Sequence, residues 1–183
     1  MSDRRARDLS LLDALDTHKG VSFEGDVWRI VGDKRDPLQG YPAAARWDPG
    51  TFEVLYTSLE REGALAEIHF HLTRQPVFPS KIKSVIHQIT VRTKRTLKLA
   101  DLAAIEALGV APETFTSLDY ADTQEIGDAA QFLGFDGILA PSARWPCQNL
   151  ILFSAKFELD DLAVVGREAM DWEAWHRSMG ERR

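Results

Sequence analysis

The sequence predicts an α+β fold organised as a single domain. β-rich runs that alternate with a period of two are interspersed with stretches whose apolar residues recur at helical spacing, and neither kind is confined to one half of the chain. At 183 residues the chain can bury a core without metals or disulfides. Its 44% hydrophobic and 27% charged residues are the composition of a soluble globular protein.

Bulk properties exclude several function classes. A formal net charge of −6 argues against nucleic-acid binding through phosphate neutralisation. Cys147 is the single cysteine, which rules out an internal disulfide and fits a reducing compartment. MSDRRARDLS carries charge with no apolar segment behind it, so no signal peptide is expected. No apolar run approaches the roughly 20 residues that cross a bilayer. The expectation is a cytoplasmic protein with no direct nucleic-acid or membrane partner.

Taken in order, Leu9, Leu12 and Leu15 predict a short helix within residues 4–16, ended at Lys19–Gly20. Val27–Val31 is a strand with Arg29 on the same face as two valines, so that face either turns to a cleft or lets the guanidinium reach the rim. Gly32–Gly50 is a long irregular loop, a length more often functional than structural. A strand over 54–57 and a helix over 59–72 follow, with Leu65, Ile68 and Leu72 on one stripe and Glu67 beside it. Residues 84–92 alternate as a strand, resumed over Thr96–Leu99 after a turn. A helix over 100–108 starts at Ala100 or Asp101 and stops at Gly109. Asp122 and Glu125 form a capping-box pattern opening a helix that Gly134 closes. Residues 137–140, 149–153 and 156–159 read as short strands. Residues 167–179 form a last helix whose Trp172, Trp175 and Met179 dock on the body or on a partner, core packing being the default.

The stretch from Gly40 to Glu67 concentrates the chemistry. Its loop carries Arg46, its strand Tyr56 and its helix Glu67, so three adjacent elements deliver an arginine, a phenol and a carboxylate. Other constellations are weaker. His69 and His71 diverge by about 200° on a helix, which prevents joint metal ligation, and no metal site is expected. Ser142 and Cys147 lack a nucleophile-elbow pattern, and neither common phosphate-binding glycine motif is present. Lys81, Lys83, Arg92, Lys94, Arg95 and Lys98 read as a solvated sheet edge. Chemistry alone leaves two readings of the remainder: a pocket, or a structural Arg29–Glu67 salt bridge with Tyr56 in the core and Arg46 bracing its loop.

The strings WRI, GYPAAARWDPG and VLYTSLEREGALAE, followed by GFDGILAPSAR and the NLILF strand, resemble in order and spacing the RES domain family, over most of residues 25–155. The loop is poorer in glycine than in many members, and Asp48 stands where asparagine is commoner. The resemblance implies an ADP-ribosyltransferase-like mixed β-sheet with flanking helices. With the helices that spacing predicts, the chain divides into an N-terminal helix over 1–20, a RES-like NAD-binding catalytic domain over 21–165, and a C-terminal helix over 166–183 packed on the domain or a partner. Members are toxins of bacterial toxin–antitoxin pairs that consume NAD.

Carried over by position, Arg29 and Arg46 become contacts to the phosphates and ribose of NAD, and Tyr56 the wall at the nicotinamide end. Glu67 becomes the catalytic carboxylate, Ser142 matches the family serine and Asn149 lies in the following strand. The resemblance further implies a hetero-oligomer with an antitoxin, whose helix-turn-helix region binds DNA and whose tail blocks the NAD cleft. The ADP-ribose acceptor is left open among a cellular protein, water and phosphate. A catalytically silent module acting through its antitoxin is the alternative, against which the joint presence of Arg29, Arg46, Tyr56 and Glu67 counts.

Overall fold

The computed structural model describes residues 6–181, apart from the side chain of Leu159. Among them the elements run α1 (Leu9–Asp16), β1 (Val21–Gly32), β2 (Val54–Ser58), α2 (Arg61–Leu72), β3 (Ser84–Lys98), α3 (Leu102–Glu106), α4 (Pro112–Thr116) and α5 (Ala121–Phe132). They continue with β4 (Gly137–Pro141), β5 (Gln148–Phe153), β6 (Leu162–Ala169) and α6 (Trp172–Glu181). This is the mixed α+β architecture expected.

The strands pair in the order β1-β2-β5-β4-β3-β6, and β1 pairs along β3 as well. The sheet therefore folds back on itself as two half-sheets, β2-β5-β4 and β1-β3-β6. Val27 and Ile89 from one half meet Leu55, Leu139, Leu150 and Leu152 from the other in a shared interior. On the outer face of β2-β5-β4, α1, α4 and α5 pack around Trp47, Phe115 and Phe135. On the outer face of β1-β3-β6, α2 and α6 pack through Ala64, Leu65 and the fully buried Trp172, whose indole N–H donates to Ser84 Oγ at 3.2 Å. Trp175 packs half-buried on the same cluster. No helix among the described residues is long and apolar enough to cross a membrane.

The two halves separate at one seam. β1 and β2 meet at the single pair Trp28↔Ser58. From there β1 runs on beside β3, with Arg29 opposite His87, while β2 runs beside β5, with Tyr56 opposite Ile151. The separation leaves a cleft, and α2 lies along it.

Several expectations need correction. β1 is longer than 27–31, and β3 is one strand through residues 93–95 where a turn was expected. Buried Asp136 explains the continuity: its Oδ2 accepts the consecutive N–H groups of Lys94 (2.6 Å) and Arg95 (2.7 Å), and its Oδ1 accepts the Thr96 hydroxyl. The basic residues do not mark an edge, because β3 is paired with β1 on one side and with β4 and β6 on the other. Arg92, Lys94 and Lys98 simply alternate outward between buried neighbours. Residues 156–159 are not a strand but run from the end of one 3₁₀ turn (Ser154–Lys156) to the start of the next (Leu159–Asp161), and the strand is β6, with the last helix starting at Trp172 rather than 167. α5 begins at Ala121, ahead of Asp122, after an Asp119 turn that accepts the Ala121 N–H at 3.2 Å. Asp101 does cap α3, accepting from Ala104 N–H at 2.9 Å. Residues 4 and 5 of the expected first helix lie outside the described residues.

Candidate active site

The cleft at the seam has a volume of about 220 Å³. One wall is a stripe of α2: Ala64, Glu67, Ile68 and His71 stand at i, i+3, i+4 and i+7, so a single helix face presents all four. Gly63 lets this helix approach, since a Cβ there would lie 2.3 Å from Ser58 Oγ and 2.5 Å from Cys147 Sγ.

Glu67 is fixed from the end of β4 and from β5. Its Oε1 accepts the Ser142 hydroxyl at 2.6 Å and the Asn149 amide at 2.9 Å. Ser142 Oγ itself accepts the N–H groups of Arg144 (3.1 Å) and Trp145 (3.2 Å), so its own proton is directed to Glu67. Both protein donors thus fall on Oε1, and Oε2 has no hydrogen-bond partner among the described residues. Glu67 and Asn149 line the cleft; Ser142 is placed behind Glu67 as its anchor.

Arg29 enters from β1 and is 5% exposed. Its Nη2 donates to the Gln39 carbonyl at 3.1 Å, its Nη1 is buried without a partner, and no ion pair joins it to Glu67. Of the two readings of its strand face, the cleft is the one observed. Burial lowers its pKa below the ordinary guanidinium value, with Tyr41 and Asp36 opposing.

The loop before β2 is organised by a residue that sequence reasoning treated only as a departure from a pattern. Asp48 is fully buried. It accepts from the N–H groups of Ala43 (2.9 Å), Ala44 (2.8 Å), Ala45 (3.2 Å) and Gly50 (3.3 Å), and from the Tyr56 hydroxyl (2.8 Å). Wrapping the loop around one carboxylate puts Ala44 at φ 48°, a region costly for a residue with a Cβ. The loop also rests on α5. Gln124 donates to the Ala45 carbonyl at 2.8 Å, and Gly127 is required because a Cβ there would sit 1.8 Å from the Trp47 carbonyl oxygen.

This platform aims Arg46 and Tyr56. Arg46 donates to the carbonyls of Phe115 and Ser117 and lies over the rings of Phe115 and Tyr120, 4.9 and 4.7 Å from their centroids. It braces the loop and lines the cleft at once. The Tyr56 hydroxyl accepts Trp47 N–H at 2.8 Å and donates to Asp48, so only its ring faces the cleft. Burial, reinforced by Asp48, raises its pKa well above 10.

Two further cleft residues were missed. Arg144 stands two positions after Ser142. His71 lies at the exposed rim, its pKa lowered by burial and by Arg144, Arg74 and Arg46 against the attraction of Glu67. Arg144 could have been suspected from its place in the APSAR segment; His71 had only its helical spacing from Glu67. As expected for a helix, His69 points elsewhere, to His176 Nδ1 at 2.8 Å. No group of three or more His, Cys, Asp or Glu among the described residues is placed to hold a metal ion.

Residues 26–174 match the RES domain model. The NAD(+) phosphorylase MbcT of Mycobacterium tuberculosis is 27% identical over 150 residues, 78% of this chain and 80% of that protein, and its Mycobacterium bovis counterpart is similar to the same degree. The crystal structure of the M. tuberculosis MbcT–MbcA toxin–antitoxin complex matches in fold, with a TM-score of 0.84 at 22% identity over 94% of this chain and 98% of that one. The chain belongs to the RES domain family.

Proposed function

We propose that this chain is the toxin of a toxin–antitoxin pair, that it breaks the nicotinamide–ribose bond of NAD in the cleft, and that it passes the ADP-ribosyl group to inorganic phosphate. The observation that carries this reading is one anchored carboxylate, Glu67, set among three guanidinium groups, those of Arg29, Arg46 and Arg144. Guanidinium forks suit the pyrophosphate of a dinucleotide. The cavity is smaller than the roughly 300–1,000 Å³ that encloses a whole drug-sized ligand, so it takes the reacting end while the remainder of NAD extends over the mouth.

Cleavage moves the bonding pair onto the pyridinium nitrogen, and nicotinamide leaves neutral without a proton being supplied. Positive charge grows on the ribose as the bond lengthens, and the unengaged Oε2 of Glu67 stabilises it from a position held before the reaction starts. The Tyr56 ring offers a flat wall to the leaving group. Ser142 and Asn149 position the carboxylate. Arg29 takes the phosphates of NAD and Arg46 its ribose.

That the MbcT relatives are NAD(+) phosphorylases favours phosphate over water or a protein side chain as acceptor. An antitoxin partner fits the toxin–antitoxin complex in which the structural neighbour was solved, and we propose that this partner covers the cleft and carries a DNA-binding helix-turn-helix region. The test is nicotinamide release from NAD by the antitoxin-free chain, with and without phosphate. Release that rises with phosphate and yields a phosphorylated ADP-ribose supports the proposal. Release indifferent to phosphate assigns water as acceptor, release that needs added protein assigns a transferase, and no release under any condition returns the silent-module reading.

A further inference from the structure

We propose that Arg144 holds the acceptor phosphate beside Glu67, in a subsite separate from the one in which Arg29 receives the phosphates of NAD. This rests on the phosphorolytic reading above and adds to it a residue and a place.

The cleft contains two buried guanidinium nitrogens with no partner among the described residues, Arg29 Nη1 and Arg144 Nη2. Buried donors are rarely left unsatisfied, least of all charged ones, so each marks a place for an acceptor atom that the protein does not supply. The two have separate surroundings. Arg29 lies with Gln39, Tyr41 and Asp36 on the β1 side. Arg144 lies with Phe70 and Thr116 on the α2 and α4 side. Two separate unsatisfied cations call for two anionic groups.

Arg144 is built as a fixed fork. Its Nη1 donates to the Thr116 carbonyl at 2.8 Å, and its guanidinium carbon stands 3.5 Å from the Phe70 ring centroid. No carboxylate forms an ion pair with it among the described residues. With one edge held and one face covered, the remaining Nη2 edge is free for an oxyanion. Arg46 hangs from the adjoining carbonyls of Phe115 and Ser117 and is close enough to Arg144 for their charges to repel. Two cations held near each other by neutral carbonyls make a local excess of positive charge that a dianion would relieve.

Position distinguishes acceptor from substrate. The backbone N–H of Arg144 donates to Ser142 Oγ, and that hydroxyl donates to Glu67 Oε1, so two hydrogen bonds separate the arginine main chain from the carboxylate that faces the reacting carbon. Glu67 and Arg144 also line the same cleft, and His71 and Arg46 each lie within electrostatic reach of both, so we place an anion on Nη2 on the Glu67 side of the cleft, where the bond to ribose is made. Hydrogen phosphate forms a bond from one oxygen to C1 of the ribose as the C1–N bond breaks. The pair in that bond goes to the nicotinamide nitrogen, neutral nicotinamide leaves, and the phosphate keeps its proton in the ADP-ribose 1-phosphate product. One negative charge of phosphate is cancelled by the positive charge of the pyridinium, and no other reactant is needed.

The experiment varies phosphate and NAD independently for the wild type, Arg144→Gln, Arg144→Lys and Arg29→Gln, and measures inorganic phosphate binding to each resting protein by calorimetry. Arg144→Gln is expected to raise KM for phosphate by more than about tenfold while changing KM for NAD by less than about threefold, and Arg29→Gln to show the reverse. The phosphate Kd should weaken in parallel with the KM for phosphate. Arg144→Lys should fall between, because it keeps a charge and loses the fork, and it serves as the test should Arg144→Gln not fold. Equal effects of Arg144→Gln on both KM values, or an unchanged phosphate Kd in a folded variant, would overturn the proposal. A wild type that binds phosphate through Arg144 and releases no nicotinamide would refute the phosphorolytic reading while leaving the anion site in place.

Discussion

Arg46 reaches the cleft from a loop that is hydrogen-bonded at almost every turn, whereas Arg29 reaches it from a continuous strand with a single hydrogen bond to its guanidinium. Around Arg46, Asp48 gathers four backbone N–H groups and a phenol, while Tyr56, Gln124 and Gly127 pin the loop to β2 and α5. Around Arg29 there is burial and an unpartnered Nη1. A loop has no regular ladder to satisfy its backbone, so its rigidity must come from side chains. A strand is already held by its neighbours, and its arginine can be left unsatisfied until a ligand arrives. One wall is held by its own hydrogen bonds; the other, on the proposed function, completes its bonding with substrate.

The largest expected effect comes from removing the hub of the stiff wall. Asp48→Ala strands several buried donors and should cost about 3 kcal/mol in chemical denaturation, with loss of NAD turnover as the loop detaches. Asp48→Asn can keep the carbonyl on the Ala43 and Ala44 N–H groups and turn its amide to Tyr56, so about 1 kcal/mol is expected. Equal costs for the two would show that the carboxylate is not what organises the loop.

The two arginines should then separate in kind. Arg46→Ala is expected to lower stability and raise KM for NAD together, because the same side chain ties the loop to the α4 carbonyls. Arg29→Ala should raise KM by about tenfold, equivalent to about 1.4 kcal/mol, with melting unchanged or improved, since it removes a buried cation that has no charge partner. Arg29→Ala that melts lower than Arg46→Ala would reverse the comparison.

The smallest effect concerns His87, which is 7% exposed and faces Arg29 across β1 and Arg167 across β6. Burial lowers its pKa below 6.5, and both arginines lower it further against Asp36. The unfolded chain therefore binds a proton more readily between the folded pKa and 6.5, so stability is full above pH 6.5 and declines as pH falls below it. His87→Gln should flatten that decline, read from urea midpoints across pH. A slope unaltered by the substitution would assign the decline to other groups.

Local pattern showed which elements carry these side chains, and the resemblance to the RES domain family singled the side chains out as a site. The strand–loop–strand–helix run over β1, β2 and α2 is a local matter of alternation and helical spacing, and it placed Arg29, Arg46, Tyr56 and Glu67 on the right elements. Part of what stayed hidden depends on contacts between residues far apart in the chain. Asp136 makes β3 continuous from some 40 positions away, and nothing in residues 93–96 announces it. Asp48, whose partners are close in the chain, stood out only as a departure from the commoner asparagine, because the backbone arrangement it gathers exists only once the loop has closed. Arg144 was passed over because a lone arginine after a serine has no period or spacing to mark it; its significance lies in an unpaired nitrogen in the folded cleft.

The most direct test of the central claim compares nicotinamide release by wild type and Glu67→Gln at saturating NAD and phosphate. Glutamine keeps the size of the side chain and an oxygen for Ser142 and Asn149, and removes the charge. A fall of about 10²–10³-fold in rate with unchanged melting is expected if the anchored carboxylate stabilises the ribosyl cation. Equal rates in the two proteins would contradict the account and move the chemistry away from this cleft.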